Sequence, residues 1–169
     1  MKTVTVFGGS GFLGRYVVEK LAKSGWRVKV AVRNPLETKS LKPLGNIGQI
    51  VPVGVSILDY REVLQAVQDS QAVINLVGIL FERGQQTFEK VHIHGADNVV
   101  RACKEAKVKR LIHMSALGAD TDSPSQYAWS KGAGEKHVQK FFSNATIIRP
   151  SVIFGPEDPA NTNTSNNNA

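Results

Sequence analysis

Short apolar runs alternate with amphipathic segments along most of this chain. Six runs are rich in β-branched residues and end near turn formers, which predicts strands at 3–8, 27–33, 49–55, 71–78, 110–116 and 145–150. Segments with apolar residues at helical spacing predict helices at 11–25, 59–68, 88–106 and 125–142. Residues 34–48 are rich in turn formers and leave room for a short helix. Pro52 indicates an edge position for the third strand, because proline cannot donate a ladder hydrogen bond.

The alternation of strands and helices predicts one fold class. Such chains form a parallel sheet that is covered by helices on both faces. We expect an α/β, Rossmann-type doubly wound parallel sheet with the strand order 3-2-1-4-5-6. The domain is expected to cover residues 1–159, since the polar segment 160–169 has nothing to bury and predicts a disordered or artefactual tail.

Composition narrows the function classes. The chain has 169 residues with 41% hydrophobic content, which suits one domain with a core. It has no apolar run long enough for a membrane span, and the strand pattern begins too early for a leader, so we expect a cytoplasmic protein, peripheral to a membrane complex as the alternative. The charge of +7 comes from scattered residues without a recognition motif, so no nucleic-acid partner is expected.

Metal and disulfide sites are also not expected. Cys103 is the single cysteine, which excludes an internal disulfide and a cysteine-based metal site. His92 and His94 are two residues apart on a predicted helix and therefore point to different sides. Cys103 and His113 are expected inside the fold, and Asn75 is expected to satisfy backbone groups at a strand end.

A glycine-rich segment, "GGSGFLG", joins the first predicted strand to the first predicted helix. In that context the glycines permit a tight turn, close approach of a pyrophosphate and close helix packing, and the helix N-terminus faces the phosphates. The alternative is a glycine-rich turn without a ligand. The candidate cofactor-binding residues are Gly8, Gly9, Ser10, Gly11, Phe12, Leu13 and Gly14.

Arg33 follows the second strand, where an acidic residue would bind the ribose 2′-hydroxyl of NAD. A guanidinium at this place can form charge-assisted hydrogen bonds to a 2′-phosphate. Arg33 therefore favours NADP(H), with NAD(H) as the alternative cofactor. An arginine that stacks on adenine or faces solvent is the other interpretation.

Tyr127 and Lys131 lie four residues apart on a predicted helix and so share a face. A nearby ammonium lowers the pKa of a tyrosine, which could then act as a general acid/base in hydride transfer. The alternative is a packed tyrosine beside a lysine that binds only ribose.

Together, "VTVFGGSGFLGRYVV", "AVINLVG", "YAWSKGAGE" and "ATIIRPSVIFGPED" resemble the short-chain dehydrogenase/reductases, in the extended and atypical branch of NAD(P)-dependent epimerase-like proteins. Within that branch, "FGGSGFLGR" and "IIRPSVIFGPEDP" are most similar to the reductase-like accessory subunit of respiratory complex I and its bacterial relatives. The resemblance covers residues 1 to about 159.

The resemblance implies roles for individual residues. It implies that Tyr127 is the general acid/base, that Lys131 holds the nicotinamide ribose and that Pro150, in "RPSV", flanks the nicotinamide. It implies that Val77 and Gly78 line the adenine-ribose side. Ser115 is the candidate catalytic serine, although the matching position is Ala116, and Ser56 replaces an aspartate that the family commonly has.

The resemblance also implies that a substrate-binding region follows the sixth strand, so we expect that region to be largely missing from this chain. Three functions remain open. The chain is a cofactor-binding partner of a redox complex with doubtful catalysis, an NAD(P)-dependent reductase or epimerase-like enzyme acting on a small carbonyl or sugar-like substrate, or an NADP(H)-sensing regulator.

Overall fold

The computed structural model describes residues 1–153. Its sheet has six strands: β1 (Thr3–Phe7), β2 (Arg27–Val32), β3 (Ile50–Gly54), β4 (Ala72–Asn75), β5 (Arg110–Met114) and β6 (Thr146–Ile148). All neighbouring pairs are parallel, in the order β3-β2-β1-β4-β5-β6. This arrangement confirms the predicted doubly wound sheet and its strand order. The predicted domain end at 159 and the tail 160–169 lie outside the described residues.

Helices connect the strands as the sequence pattern predicts: α1 (Phe12–Lys23), α2 (Tyr60–Val67), α3 (Gly95–Glu105) and α4 (Gln126–Phe141). The turn-rich segment after β2 forms a 3₁₀ helix, Pro35–Leu44. The Asp59 carboxylate accepts hydrogen bonds from two backbone N–H groups and caps α2, as predicted. The Ser125 hydroxyl caps α4 in the same way.

Two apolar clusters lie on opposite faces of the sheet. On one face, α1 and the 3₁₀ helix pack on β1 and β2 through residues such as Val18 and Leu41. On the other face, α2, α3 and α4 cover the sheet, and Cys103 is completely buried there, as expected. Pro52 lies in the edge strand β3, opposite Val30, which confirms the edge position.

The predicted helix 88–106 differs from the structure in its first turns. Residues Glu89–His94 form a π-helical segment that continues directly into α3. Gly134 of α4 packs so closely on this segment that a Cβ there would lie well inside contact distance of the His92 carbonyl oxygen. Apolar spacing over one or two turns does not separate a π helix from an α helix, so the pattern could not predict this change.

No helix within residues 1–153 combines the length and the hydropathy needed to cross a bilayer.

Candidate functional site

An open cleft lies at the carboxyl ends of the central strands, where ligands bind in open α/β sheets. It is formed by the turns after β1, β2 and β4 and by the end of β3. The structure brings six of the predicted cofactor-binding residues to its lining: Gly8, Ser10, Gly11, Arg33, Val77 and Gly78. Ser56 lines the cleft as well, at the end of β3.

The glycine turn between β1 and α1 has the geometry that a pyrophosphate needs. Gly8 has φ +76°, a left-handed conformation that glycine adopts without strain. A Cβ on Gly14 would lie well inside contact distance of the Gly8 carbonyl oxygen, so only glycine allows α1 to approach the turn. A Cβ on Gly11 would approach only the Gly8 oxygen, at 3.4 Å, which leaves the space above Gly11 open.

The first turn of α1 leaves backbone donors available in this space. Gly11 is the N-cap and provides no side-chain hydrogen bond, so the first N–H groups of α1 are not capped by a side chain. Uncapped N–H groups and the positive end of the helix dipole suit a phosphate group. The turn therefore fits a dinucleotide. Gly9 lies in this turn, and Phe12 and Leu13 begin α1. None of these three residues lines the cleft within the described chain.

Arg33 is exposed at the rim of the cleft, directly after β2. Sequence analysis missed its two polar neighbours in the lining, Asn34 and Glu37. Asn34 Nδ2 donates to Glu37 Oε1 at 2.9 Å, and Asn34 Oδ1 accepts from Leu36 N at 3.1 Å. The Glu37 carboxylate is thus engaged with Asn34.

Tyr127 and Lys131 share one face of α4, but they do not act on each other as the spacing predicted. Burial raises the pKa of Tyr127 above its ordinary value, so the predicted lowering by the lysine is wrong. The physical reason is the direction of Lys131, whose Nζ donates to the carbonyl oxygen of Met114 at 2.7 Å at the end of β5. Burial also lowers the pKa of Lys131 to about 8, although Glu135 partly opposes this effect.

Ser115 is buried just after β5, and its hydroxyl has no hydrogen-bond partner within residues 1–153. Burial alone would raise the pKa of Glu135, but hydrogen bonds from the Arg149 guanidinium hold it below the ordinary value. Glu135 lies two turns beyond Tyr127 on α4, about 12 Å along the helix axis. Glu135 forms an ion pair with Arg149, whose Nη2 lies 2.6 Å from Glu135 Oε1, and no hydrogen bond within residues 1–153 joins the Ser115 hydroxyl to the Tyr127 phenol.

His92 links the loop after β4 to helix α4, a role that the sequence pattern did not predict. Its Nε2 accepts from Ile79 N at 3.0 Å, so the ring proton lies on Nδ1, which is 2.9 Å from Ser130 Oγ. Ser130 Oγ in turn donates to the Tyr127 carbonyl oxygen at 2.9 Å. Burial lowers the pKa of His92 to about 4, and nearby Lys131 adds to this effect, which keeps the ring neutral.

The structure also shows the surroundings of three further residues to which the sequence assigned a place or role. Asn75 Oδ1 accepts from Val77 N at 3.1 Å, which confirms its backbone role. His113 is buried in β5, as expected, and burial lowers its pKa to about 3. Pro150 follows β6, and its carbonyl oxygen accepts from Leu117 N at 3.0 Å, beside the carboxyl end of β5.

The depressed pKa of Lys131 predicts a pH-dependent difference between the natural chain and Lys131→Met. Below pH 8 the folded chain carries a buried charge at Lys131, and its desolvation lowers the unfolding free energy. Between pH 8 and 10.5 the folded chain has lost this proton while the unfolded chain still holds it. The unfolding free energy of the natural chain should therefore rise through this window, by about 3 kcal/mol relative to Lys131→Met. Urea unfolding of both chains at several pH values measures this difference, and a constant difference from pH 7 to 10.5 is the contrary result.

Comparison with known proteins shows the family to which this chain belongs. Residues 8–168 match the sequence model of the family described as NAD(P)H-binding. The chain belongs to the NAD(P)H-binding family. This match, together with a respiratory NADH dehydrogenase subunit and a ceramide reductase as relatives, confirms the resemblance to the reductase- and epimerase-like NAD(P)-binding proteins and to the complex I accessory subunit.

Two relatives of this chain are a subunit of a mitochondrial NADH dehydrogenase and a reductase. The mitochondrial NADH dehydrogenase (ubiquinone) 1 alpha subcomplex subunit 9 of Dictyostelium discoideum is 41% identical over 155 residues, which is 91% of this chain and 43% of the relative. The ceramide reductase of Caulobacter vibrioides is 33% identical over 155 residues, covering 92% of this chain and 47% of that protein. The chain thus spans less than half the length of both relatives.

A solved structure supports the fold. The enzyme WbmH of Bordetella bronchiseptica, solved in complex with NAD⁺, superposes with a TM-score of 0.73 at 22% identity, covering 88% of this chain and 56% of that one. At this identity the likeness concerns the fold.

Proposed function

We propose that this chain binds NADP(H) at the cleft, that its own carbonyl chemistry is weak or absent, and that it serves as a structural or assembly partner of a redox complex. The observation that carries the proposal is the open glycine cradle at the uncapped start of α1, with Arg33 at the rim of the same cleft. The similarity to subunit 9 of the Dictyostelium NADH dehydrogenase supports the redox-complex partner.

Different residues of this chain would bind different parts of the cofactor. The backbone of Gly8 and Gly11 and the first turn of α1 would hold the pyrophosphate, and Val77 and Gly78 would flank the adenine-ribose side. Arg33 would hold the 2′-phosphate, Lys131 the nicotinamide ribose, and Pro150 would flank the nicotinamide. When bound, the cofactor supplies a hydride.

Three features of the site support weak chemistry. Burial raises the pKa of Tyr127, which makes its phenol a weaker acid for donating a proton to a carbonyl oxygen. The Lys131 ammonium is held by the Met114 carbonyl oxygen instead of stabilising a phenolate. The Ser115 hydroxyl forms no hydrogen bond with the Tyr127 phenol within the described residues, so no serine–tyrosine pair is in place to stabilise a developing oxyanion.

The cofactor preference gives a direct test. We expect the natural chain to bind NADPH more tightly than NADH, and Arg33→Asp to weaken NADPH binding by about 10- to 100-fold, the range that charge-assisted hydrogen bonds supply. NADH affinity should change little. Nicotinamide fluorescence titration measures the affinities of the natural chain and of Arg33→Asp for both cofactors. Arg110→Asp is the matched control, because Arg110 lies at the amino end of β5, away from the cleft at the carboxyl ends of the strands. Equal affinities of the natural chain for both cofactors refute the role of Arg33.

A second candidate function is an NAD(P)-dependent reductase acting on a small carbonyl substrate. The placement of Tyr127 and Lys131 on one face of α4 favours it, as does the similarity to ceramide reductase. Turnover with carbonyl substrates separates this candidate from the first.

A further inference from the structure

The loop after β4, residues 79–86, forms most of the wall of a second, open cavity next to the cleft. This cavity has a volume of about 720 Å³, and Arg33 forms part of its wall. Gly78, Ile79 and Gln86 line both spaces, so the cavity adjoins the cleft on the Arg33 side.

The cavity lining is positively charged. It contains two arginines, Arg33 and Arg83, and no acidic residue. Among residues 1–153, neither arginine forms an ion pair with a carboxylate. Glu82 is occupied elsewhere, since its Oε1 accepts from Phe88 N at 2.7 Å. Two cations that are not neutralised around one space favour a ligand with two negative charges.

Backbone hydrogen bonds fix the loop that carries Arg83. Arg83 N donates to Gln86 O and Gln86 N donates to Arg83 O, both at 3.0 Å, and Gly84 at φ +57° makes the turn between them. The start of the loop is held by the hydrogen bond from Ile79 N to His92 Nε2. The backbone position of Arg83 in the cavity wall is therefore set by the fold.

We propose that Arg83 is a second cofactor-selecting residue, which holds the 2′-phosphate of NADP(H) together with Arg33. This inference rests on the proposed NADP(H) binding at the cleft. A phosphate monoester carries about −1.5 to −2 charges near pH 7 and three acceptor oxygens, which two guanidinium groups satisfy better than one. A phosphate on a second ligand has the same chemistry, and the probes below separate the two sources.

The test compares the natural chain with Arg83→Ala, and Arg110→Ala serves as the matched control. The probes are NADPH, NADH, 2′,5′-ADP, 5′-AMP, and phenyl phosphate added to the NADPH-saturated chain. We expect Arg83→Ala to weaken NADPH and 2′,5′-ADP by about tenfold, an effect that decreases at high salt, and to leave NADH and 5′-AMP within about twofold. Arg83→Lys should recover part of the loss, because it keeps the charge and loses the fork of donors.

The outcomes separate this inference from the proposed function. If the natural chain prefers NADPH and Arg33→Ala removes that preference while Arg83→Ala keeps it, the role of Arg83 is refuted and that of Arg33 stands. An equal loss for all four nucleotides also refutes it, because Arg83 then acts on the shared part of the nucleotides. In a third outcome, phenyl phosphate binds to the NADPH-saturated natural chain and fails to bind to Arg83→Ala. That result assigns the cavity to another phosphate ligand and refutes the contact of Arg83 with the 2′-phosphate.

Discussion

A Gly14→Ala chain is expected to lose about 3 kcal/mol or more of unfolding free energy and to lose NADPH binding with it. The new Cβ would overlap the Gly8 carbonyl oxygen and the Gly9 backbone, which are parts of the turn itself and cannot rotate away like a side chain. The start of α1 must then move from β1, and the cradle for the pyrophosphate changes shape. Urea unfolding and NADPH titration of the same preparation measure both losses.

Gly11→Ala is the matched control for this prediction. Its φ is −69°, which alanine tolerates, and the new Cβ would approach only the Gly8 oxygen, at 3.4 Å. Stability should fall by about 1 kcal/mol at most, the difference between glycine and alanine at an N-cap. NADPH affinity should fall by about tenfold or more, because the methyl group enters the cleft. An unchanged unfolding midpoint in Gly14→Ala contradicts the packing assigned to that residue.

A Gly134→Ala chain is expected to be destabilised by a similar amount, about 3 kcal/mol. Helix propensity alone predicts the opposite sign, since alanine is better than glycine by about 1 kcal/mol inside a helix. The contact decides the sign, because the Cβ would overlap the carbonyl oxygen of His92 in the π-helical segment. Displacement of His92 also strains the hydrogen bond that holds Ile79.

Gly118→Ala controls for the loss of a glycine as such. A Cβ at Gly118 meets nothing within 4 Å, and its φ is not in the left-handed region. Its unfolding free energy should stay within about 0.5 kcal/mol of the natural value. If thermal or urea unfolding shows Gly134→Ala to be as stable as Gly118→Ala, the close packing of α4 on the π-helical segment is contradicted.

Most of the fold could be predicted because its signals are local. β-branched runs, the cap at Asp59, the proline in β3 and the glycine turn each act within a few residues. Alternation of strand and helix then leaves one common sheet order. The π-helical segment was not predictable, because it depends on the approach of Gly134 from a distant part of the chain.

The candidate site was predicted in part, and the limit has a physical cause. The spacing of Tyr127 and Lys131 fixes a shared helix face, but not where the end of a long side chain goes. Lys131 Nζ reaches Met114 O, 17 residues away in the chain, and the pKa of Tyr127 rises instead of falling. The roles of His92 and of Glu135 with Arg149 depend on contacts between separate elements, which no local pattern carries.

The central claim is that this chain keeps NADPH binding while its carbonyl chemistry is weak or absent. The most direct test mixes the NADPH-saturated chain, and its Tyr127→Phe variant, with a panel of carbonyl substrates and follows the nicotinamide absorbance. We expect both chains to bind NADPH with affinities within about twofold of each other, and turnover in both to stay far below about 1 s⁻¹. Reduction by the natural chain at about 1 s⁻¹ or faster, abolished in Tyr127→Phe, contradicts the claim.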